Sequence, residues 1–143
     1  MPEKETLERA RQDKREGKAP STQAGEFVRE EIEHIREGKH GARSTKQAIA
    51  IGLSKARRAG VELPPSESSS EETKEQAKRD LRKAGKKTKS SKRAQATRKA
   101  LKREGRTAAS KEALSRQARA AARKRSKASR SRSAKKAAAT RKK

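Results

Sequence analysis

Residues 44–60 read STKQAIAIGLSKARRAG, a helix with both ends written in. Ser44-Thr45-Lys46-Gln47 is a capping box. The Ser44 hydroxyl can accept from the Gln47 amide while the Gln47 side chain reaches back. Ile49, Leu53 and Ala56 recur at i, i+4 and i+7 and mark one apolar stripe. Gly60 supplies the left-handed residue that stops the helix, and Val61 stands where the hydrophobic contact of a Schellman end belongs. Pro64 and Pro65 forbid continuation.

Upstream, Phe27, Val28, Ile32 and Ile35 form a second stripe at helical spacing. Ser21 or Thr22 is placed to cap that helix, which runs to about Glu37 before Gly38 and Gly41 break it. Two amphipathic helices with a Gly-containing connection predict an αα-hairpin over residues 21–63. Its expected packing face is Phe27, Val28, Ile32, Ile35, Ile49, Leu53, Ala56 and Val61. Domains below roughly 40 residues usually need extra support, so a homodimer or a protein partner is expected to steady the hairpin.

The flanks differ in kind. Residues 1–20 form a charged segment, weakly helical over 3–16, whose only large apolar residue there, Leu7, gives it no face to bury. The hairpin module is 21–65, and 66–85 is a polar linker beginning SESSSEET, with a short helix possible over 74–84. Residues 86–143 hold 24 Lys or Arg against two acids, Glu104 and Glu112, and only two large apolar side chains, Leu101 and Leu114. They carry +22 of the net +25, whereas residues 1–65 carry +3. High charge with little apolar content is the signature of disorder. The expected fold class is therefore all-α: a small helical hairpin plus a largely disordered, helix-prone basic tail. Within the tail, 91–104 and 110–125 have good helix propensity, opposed in free solution by like-charge repulsion.

Cations at this density attract a polyanion, and nucleic acid is the expected partner. If 110–125 is helical, Arg116, Arg119 and Arg123 share a face; Lys92, Lys99 and Arg103 line up likewise. With Lys124, Arg125, Arg130, Arg132, Lys135, Lys136 and Arg141 they are the candidate phosphate contacts. The tail has no aromatic to stack on unpaired bases, and the whole chain has no Asn. Both facts favour backbone binding to duplexes with little sequence preference.

Other chemistry is poorly supplied. There is no cysteine, no Gly-rich phosphate loop and no nucleophile with a base and an orienting group, so no enzyme and no cofactor are expected. His34 and His40 are the only histidines; with too few ligands at fixed spacing no metal is expected, and His34 reads as part of a solvated helix face. No apolar run approaches the ~20 residues of a membrane span, and the N-terminus lacks a secretory core, so no membrane insertion is expected.

The tail, ending AKKAAATRKK, resembles the Ala/Lys-rich tails of linker histones and bacterial histone-like nucleoid proteins, though it lacks the Ser/Thr-Pro-Lys-Lys motifs of the former. HGARSTKQAIAIGLSKARRAG, residues 40–60, resembles the K-x-A-I-A-I-x-L-S-x-A signature of a family of small, basic, uncharacterised bacterial proteins, matched at Lys46, Ala48, Ile49, Ala50, Ile51, Leu53, Ser54 and Ala56. That resemblance implies a bacterial source and no particular activity. The leading expectation is a non-enzymatic, sequence-nonspecific DNA-binding protein, nucleoid-associated and cytoplasmic. The open alternatives are an RNA chaperone or ribosome-associated factor, and an adaptor or stress protein whose hairpin binds a protein.

Overall fold

The computed structural model describes residues 2–66, 69–85 and 90–142. Glu67 and Ser68 of the expected linker, residues 86–89 at the head of the expected tail, and Lys143 lie outside the described residues. Among the described residues there are seven α-helices, one 3-10 turn (Thr107–Ala109) and no strand. The helices are α1 (Lys4–Arg15), α2 (Pro20–Arg36), α3 (Thr45–Arg58), α4 (Glu71–Arg82), α5 (Ser91–Lys102), α6 (Lys111–Arg123) and α7 (Lys127–Arg141). None is long and apolar enough to cross a membrane.

α2 is the central element, packed by α1 and by α3. It begins at Pro20, ahead of the expected Ser21 or Thr22 cap, and no side chain caps it. Proline's fixed φ suits the first helical turn, and its missing amide is one that the turn leaves unbonded anyway. α3 keeps the expected ends. Ser44 Oγ accepts from the Gln47 amide at 3.2 Å, and the Gln47 side chain reaches back one residue further than a capping box requires, to the Arg43 amide at 2.6 Å. At the other end Gly60 has φ +102°. The Val61 amide donates to Ala56 O at 3.0 Å and the Gly60 amide to Arg57 O at 3.1 Å. That pair of bonds is the Schellman pattern, and buried Val61 packs in the same cluster as Ala56.

The hairpin packs differently from the expected stripes. The residues that α3 buries are Thr45, Ala48, Gly52, Ala56 and Arg57; Ile49 and Ile51 stay half-exposed and Ile49 joins neither core cluster. The reason is steric. A Cβ built on Gly52 would lie 2.6 Å from Val28 Cα and 2.9 Å from Val28 N, so α3 lies directly against the α2 backbone there. Small residues on the contact line bring two helices closer than large ones allow, and close contact maximises dispersion. The bulky Ile49 is turned aside. Leu53 is only partly buried but still packs on the core, and Phe27, Ile32, Ile35 and Ala56 are buried as expected.

The core has two parts. One holds Ala10, Ala24, Phe27, Ala56 and Val61, with Leu7, Leu53 and Leu63 against it. The expectation that residues 3–16 have no face to bury is therefore overturned. Thr6, Ala10 and Asp13 of α1 are buried, and Arg9 Nε donates to Glu26 of α2 at 2.7 Å. Alanine in a tight contact does the work for which a large side chain was sought. α4 docks on α3 through Ala77 and the buried Asp80. Asp80 accepts from the Ser54 hydroxyl, from Arg58 Nε at 2.9 Å and from Gln76 Nε2 at 3.2 Å, which offsets the cost of burying a carboxylate.

The other part holds Ile32, Ile35, Ala42 and Ala48 together with Ala108 and Ala109, with Leu114 and Val28 against it. The basic half is thus moored to the hairpin, which corrects the expectation of a disordered tail hanging free. The Gly41 amide donates to Leu101 O at 2.8 Å and the Ala42 amide to Gly105 O at 3.1 Å. Thr45 Oγ1 donates to Ala108 O at 2.6 Å and Arg36 Nε to Ala109 O at 2.9 Å. A Cβ on Gly41 would overlap the Glu104 carbonyl, so this approach also needs a glycine. Beyond the mooring, α5, α6 and α7 bury no residue. Their helices rest on Ala, Arg and Lys propensity and on serine caps at Ser90, Ser110 and Ser126.

Gly52→Leu should cost about 3 kcal/mol or more, at the upper end of overpacking penalties, because the clash is with backbone rather than a movable side chain. Ile51→Ala, on the half-exposed side of the same turn, should cost less than about 1.5 kcal/mol. Thermal melts followed by circular dichroism at 222 nm on the full chain test the order; equal effects would show that Gly52 is not the contact point.

Candidate nucleic-acid interface

The structure places all thirteen expected phosphate contacts in solvent. Lys92 and Lys99 lie on α5, and Arg103 is the residue that ends it. Arg116, Arg119 and Arg123 lie on α6, so their i, i+3, i+7 spacing does put them on one face. Lys124 ends α6, and Arg125 lies between α6 and α7. Arg130, Arg132, Lys135, Lys136 and Arg141 lie on α7, where their spacing spreads them around the axis.

Their electrostatic setting differs from that of the body. In the body, acids and bases pair: Arg9 with Glu26, Lys18 with Asp13, Lys55 with Glu31 and Arg58 with Asp80. Hydrogen bonds to Asp13 and then Glu16 hold the Lys18 ammonium above its ordinary value. Burial pulls the Arg57 guanidinium below its own while Arg57 Nε donates to Leu63 O at 2.9 Å. Among the described residues, no Lys or Arg beyond Arg79 forms an ion pair with a carboxylate. Arg125 is the most engaged of them: its guanidinium donates to the Ser129 hydroxyl at 3.0 Å, to Ser129 O at 3.1 Å and to the Ser133 hydroxyl.

The mooring also brings together residues that sequence spacing could not. α6 packs on α3, and Ala113, Leu114 and Gln117 are half-buried there. An open groove of about 540 Å³ runs between the start of α3 and α6, lined by Arg43, Lys46 and Arg116 among others. It lies at the positive end of the α3 dipole. Arg43 and Lys46 were not among the expected contacts, because 70 residues of chain separate Lys46 from Arg116 and no local pattern links them. The chain's one aromatic, Phe27, is buried and cannot stack on a base.

His34 is placed otherwise than expected. The His34 side chain is mostly buried, not solvated, and lies 2.9 Å from Glu3 Oε1. The burial of Glu31, three residues before it, did leave a signal. Ala24, Phe27, Val28, Glu31 and Ile35 follow i, i+3, i+4, i+7, i+11 spacing, which puts Glu31 on the apolar stripe of α2.

Among known proteins, the model of a family described as a family of unknown function (DUF6496) matches residues 5–67. This span takes in α1, α2 and α3, including residues 40–60, and stops before α4. No curated protein and no solved structure matches the chain.

Deleting residues 100–143 should strip hydrogen-exchange protection from the Gly41 and Ala42 amides, whose acceptors leave with the segment. The Val61 amide, bonded to Ala56 O inside the body, should keep its protection. Unchanged exchange at Gly41 and Ala42 would mean that the basic half does not dock in solution.

Proposed function

We propose that the chain is a non-enzymatic, histone-like protein that binds duplex DNA through its phosphate backbone with little dependence on sequence. The observation that carries this reading is the state of the basic half: exposed cations on three helices, without carboxylate partners among the described residues, within a segment of net charge +22. Each contact to a phosphate releases a condensed counterion, and that release drives binding. The absence of Asn and the burial of Phe27 favour backbone contact over base readout or stacking on single strands. The docked α6 deepens the reading, since it lets Arg43 and Lys46 of the body join Arg116 on one phosphate track. Such a protein coats or bridges DNA and is suited to a nucleoid-associated role.

The test is a salt-dependent anisotropy titration of the full chain on duplexes of unrelated sequence. If about ten phosphates are engaged, log K should fall against log salt with a slope near −9, equally for each sequence. Deleting residues 86–143 should remove most of the affinity. Retention of it, or tighter binding to duplex RNA or single strands, would overturn the reading.

Arg116→Ala should reduce the magnitude of the slope by about 1 and weaken binding uniformly across sequences. Arg43→Ala should do the same if the groove carries the track. An Arg43 variant with the wild-type slope would confine the interface to the basic half.

A further inference from the structure

The chain's only two histidines meet at the end of α2, their rings edge to face with centroids 6.2 Å apart. One ligating atom from each of Glu31, His34 and His40 lies within 4.8 Å of the other two. Two buried carboxylates stand here, Glu31 at 0% exposure and Glu30 at 3%. Glu31 Oε1 accepts from the Lys55 ammonium, while Oε2 is buried and accepts no hydrogen bond. Glu30 Oε2 accepts from the Glu3 amide at 3.2 Å; its Oε1 also accepts none and lies 3.9 Å from His34 Nε2.

The hydrogen bonding of His40 sharpens the case. Its Nδ1 lies 2.9 Å from Gly41 O, and a carbonyl can only accept, so Nδ1 carries a proton. In the neutral ring the lone pair is then on Nε2, and Nε2 stands 3.2 Å from Glu31 Oε2. With the ring neutral, two acceptors face each other there, a contact that only a proton or a cation between them satisfies. A cation placed against both removes the repulsion.

We propose that Glu31, His34 and His40 bind a single divalent transition-metal ion of the zinc class. Two imidazoles and a carboxylate are a donor set that suits zinc and its neighbours. Ligands around a tetrahedral zinc with bonds of 2.0–2.1 Å are roughly 3.3 Å apart, so modest side-chain rotation closes the site. Glu30 Oε1 lies beside the trio, 3.9 Å from His34 Nε2, and adds negative charge there. The supports are in place: the Gly41 carbonyl fixes the His40 tautomer, and Lys55 holds the other Glu31 oxygen. The carboxylates of Glu3, Glu30 and Glu31 outnumber the Lys39 and Lys55 ammoniums around them, which leaves the pocket anionic for a dication.

The experiment uses the full chain, freed of metal and titrated with Co²⁺ and then Zn²⁺. One equivalent of Co²⁺ should give visible d–d bands, and Zn²⁺ should abolish them and raise the melting temperature. His34→Asn and His40→Asn should each weaken binding by more than about a hundredfold, beyond the usual loss of a supporting partner. Should either variant fail to fold, the ring ¹⁵N resonances of the wild-type protein decide. Zn²⁺ should shift His40 at Nε2 and leave Nδ1 protonated. Absence of d–d bands, rings that titrate with protons yet ignore Zn²⁺, or undiminished binding by a folded histidine variant would overturn the proposal.

Discussion

α3 can lie against α2 only because residue 52 has no side chain. Val28 occupies the space that any Cβ at 52 would need. From that contact the rest follows in order. The line Ala48–Gly52–Ala56 becomes the buried edge of α3, with Ala48 in the core cluster that includes Ala108 and Ala109 and Ala56 in the one that reaches back to α1. A larger residue at 52 would push the helices apart and open both clusters together, because close packing leaves no slack to absorb the change. Alanine is the chief core residue for the same reason: at short helix separation a methyl group already fills the gap.

This economy lets a chain so poor in large apolar side chains hold a body together. Polar groups share the work by being paired where they are buried. Asp80 gathers three donors from two helices, and Glu31 meets Lys55 across the α2–α3 contact. Other described acids of residues 1–85, such as Glu5, Glu33, Glu71 and Glu75, meet Lys or Arg of the same half at the surface. The basic half has only Glu104 and Glu112, so its cations have no internal counter-charge to meet. The division between a self-neutralised body and an uncompensated half is the electrostatic basis of the proposed phosphate binding.

The mooring of the basic half reconciles its charge with order. Like charges on α5, α6 and α7 repel, and none of the three helices buries a residue. What fixes the start of this half, through α6, is a short seat: Ala108 and Ala109 in the core with Leu114 against them, and four backbone carbonyls that accept from the α2 end, the connecting loop and the α3 start. That seat aims α6 at the groove beside Arg43 and Lys46. The loop that receives it also carries His40, so the proposed metal site and the tail's anchorage share one short stretch of chain.

The sequence by itself determined α3 with both its ends and the helical character of the chain, though not the Pro20 start of α2 or the existence of α7. Ser44 and Gly60 act locally, through bonds to residues a few positions away, and so do the serine caps of the second half. It also determined where the charge lies and that Arg116, Arg119 and Arg123 share a face, since periodicity follows from the helix alone. Tertiary structure decided which face is buried. The large apolar residues of α3 pointed to Ile49, but the closest backbone approach chose Gly52, and no one-dimensional pattern encodes the distance between two helices. It also decided that α1 has a buried side, that Ala108 and Ala109 are core, and that His34, His40 and Glu31 converge. Each of these joins residues distant in the chain, where contact depends on how whole elements pack and not on the propensities of their parts.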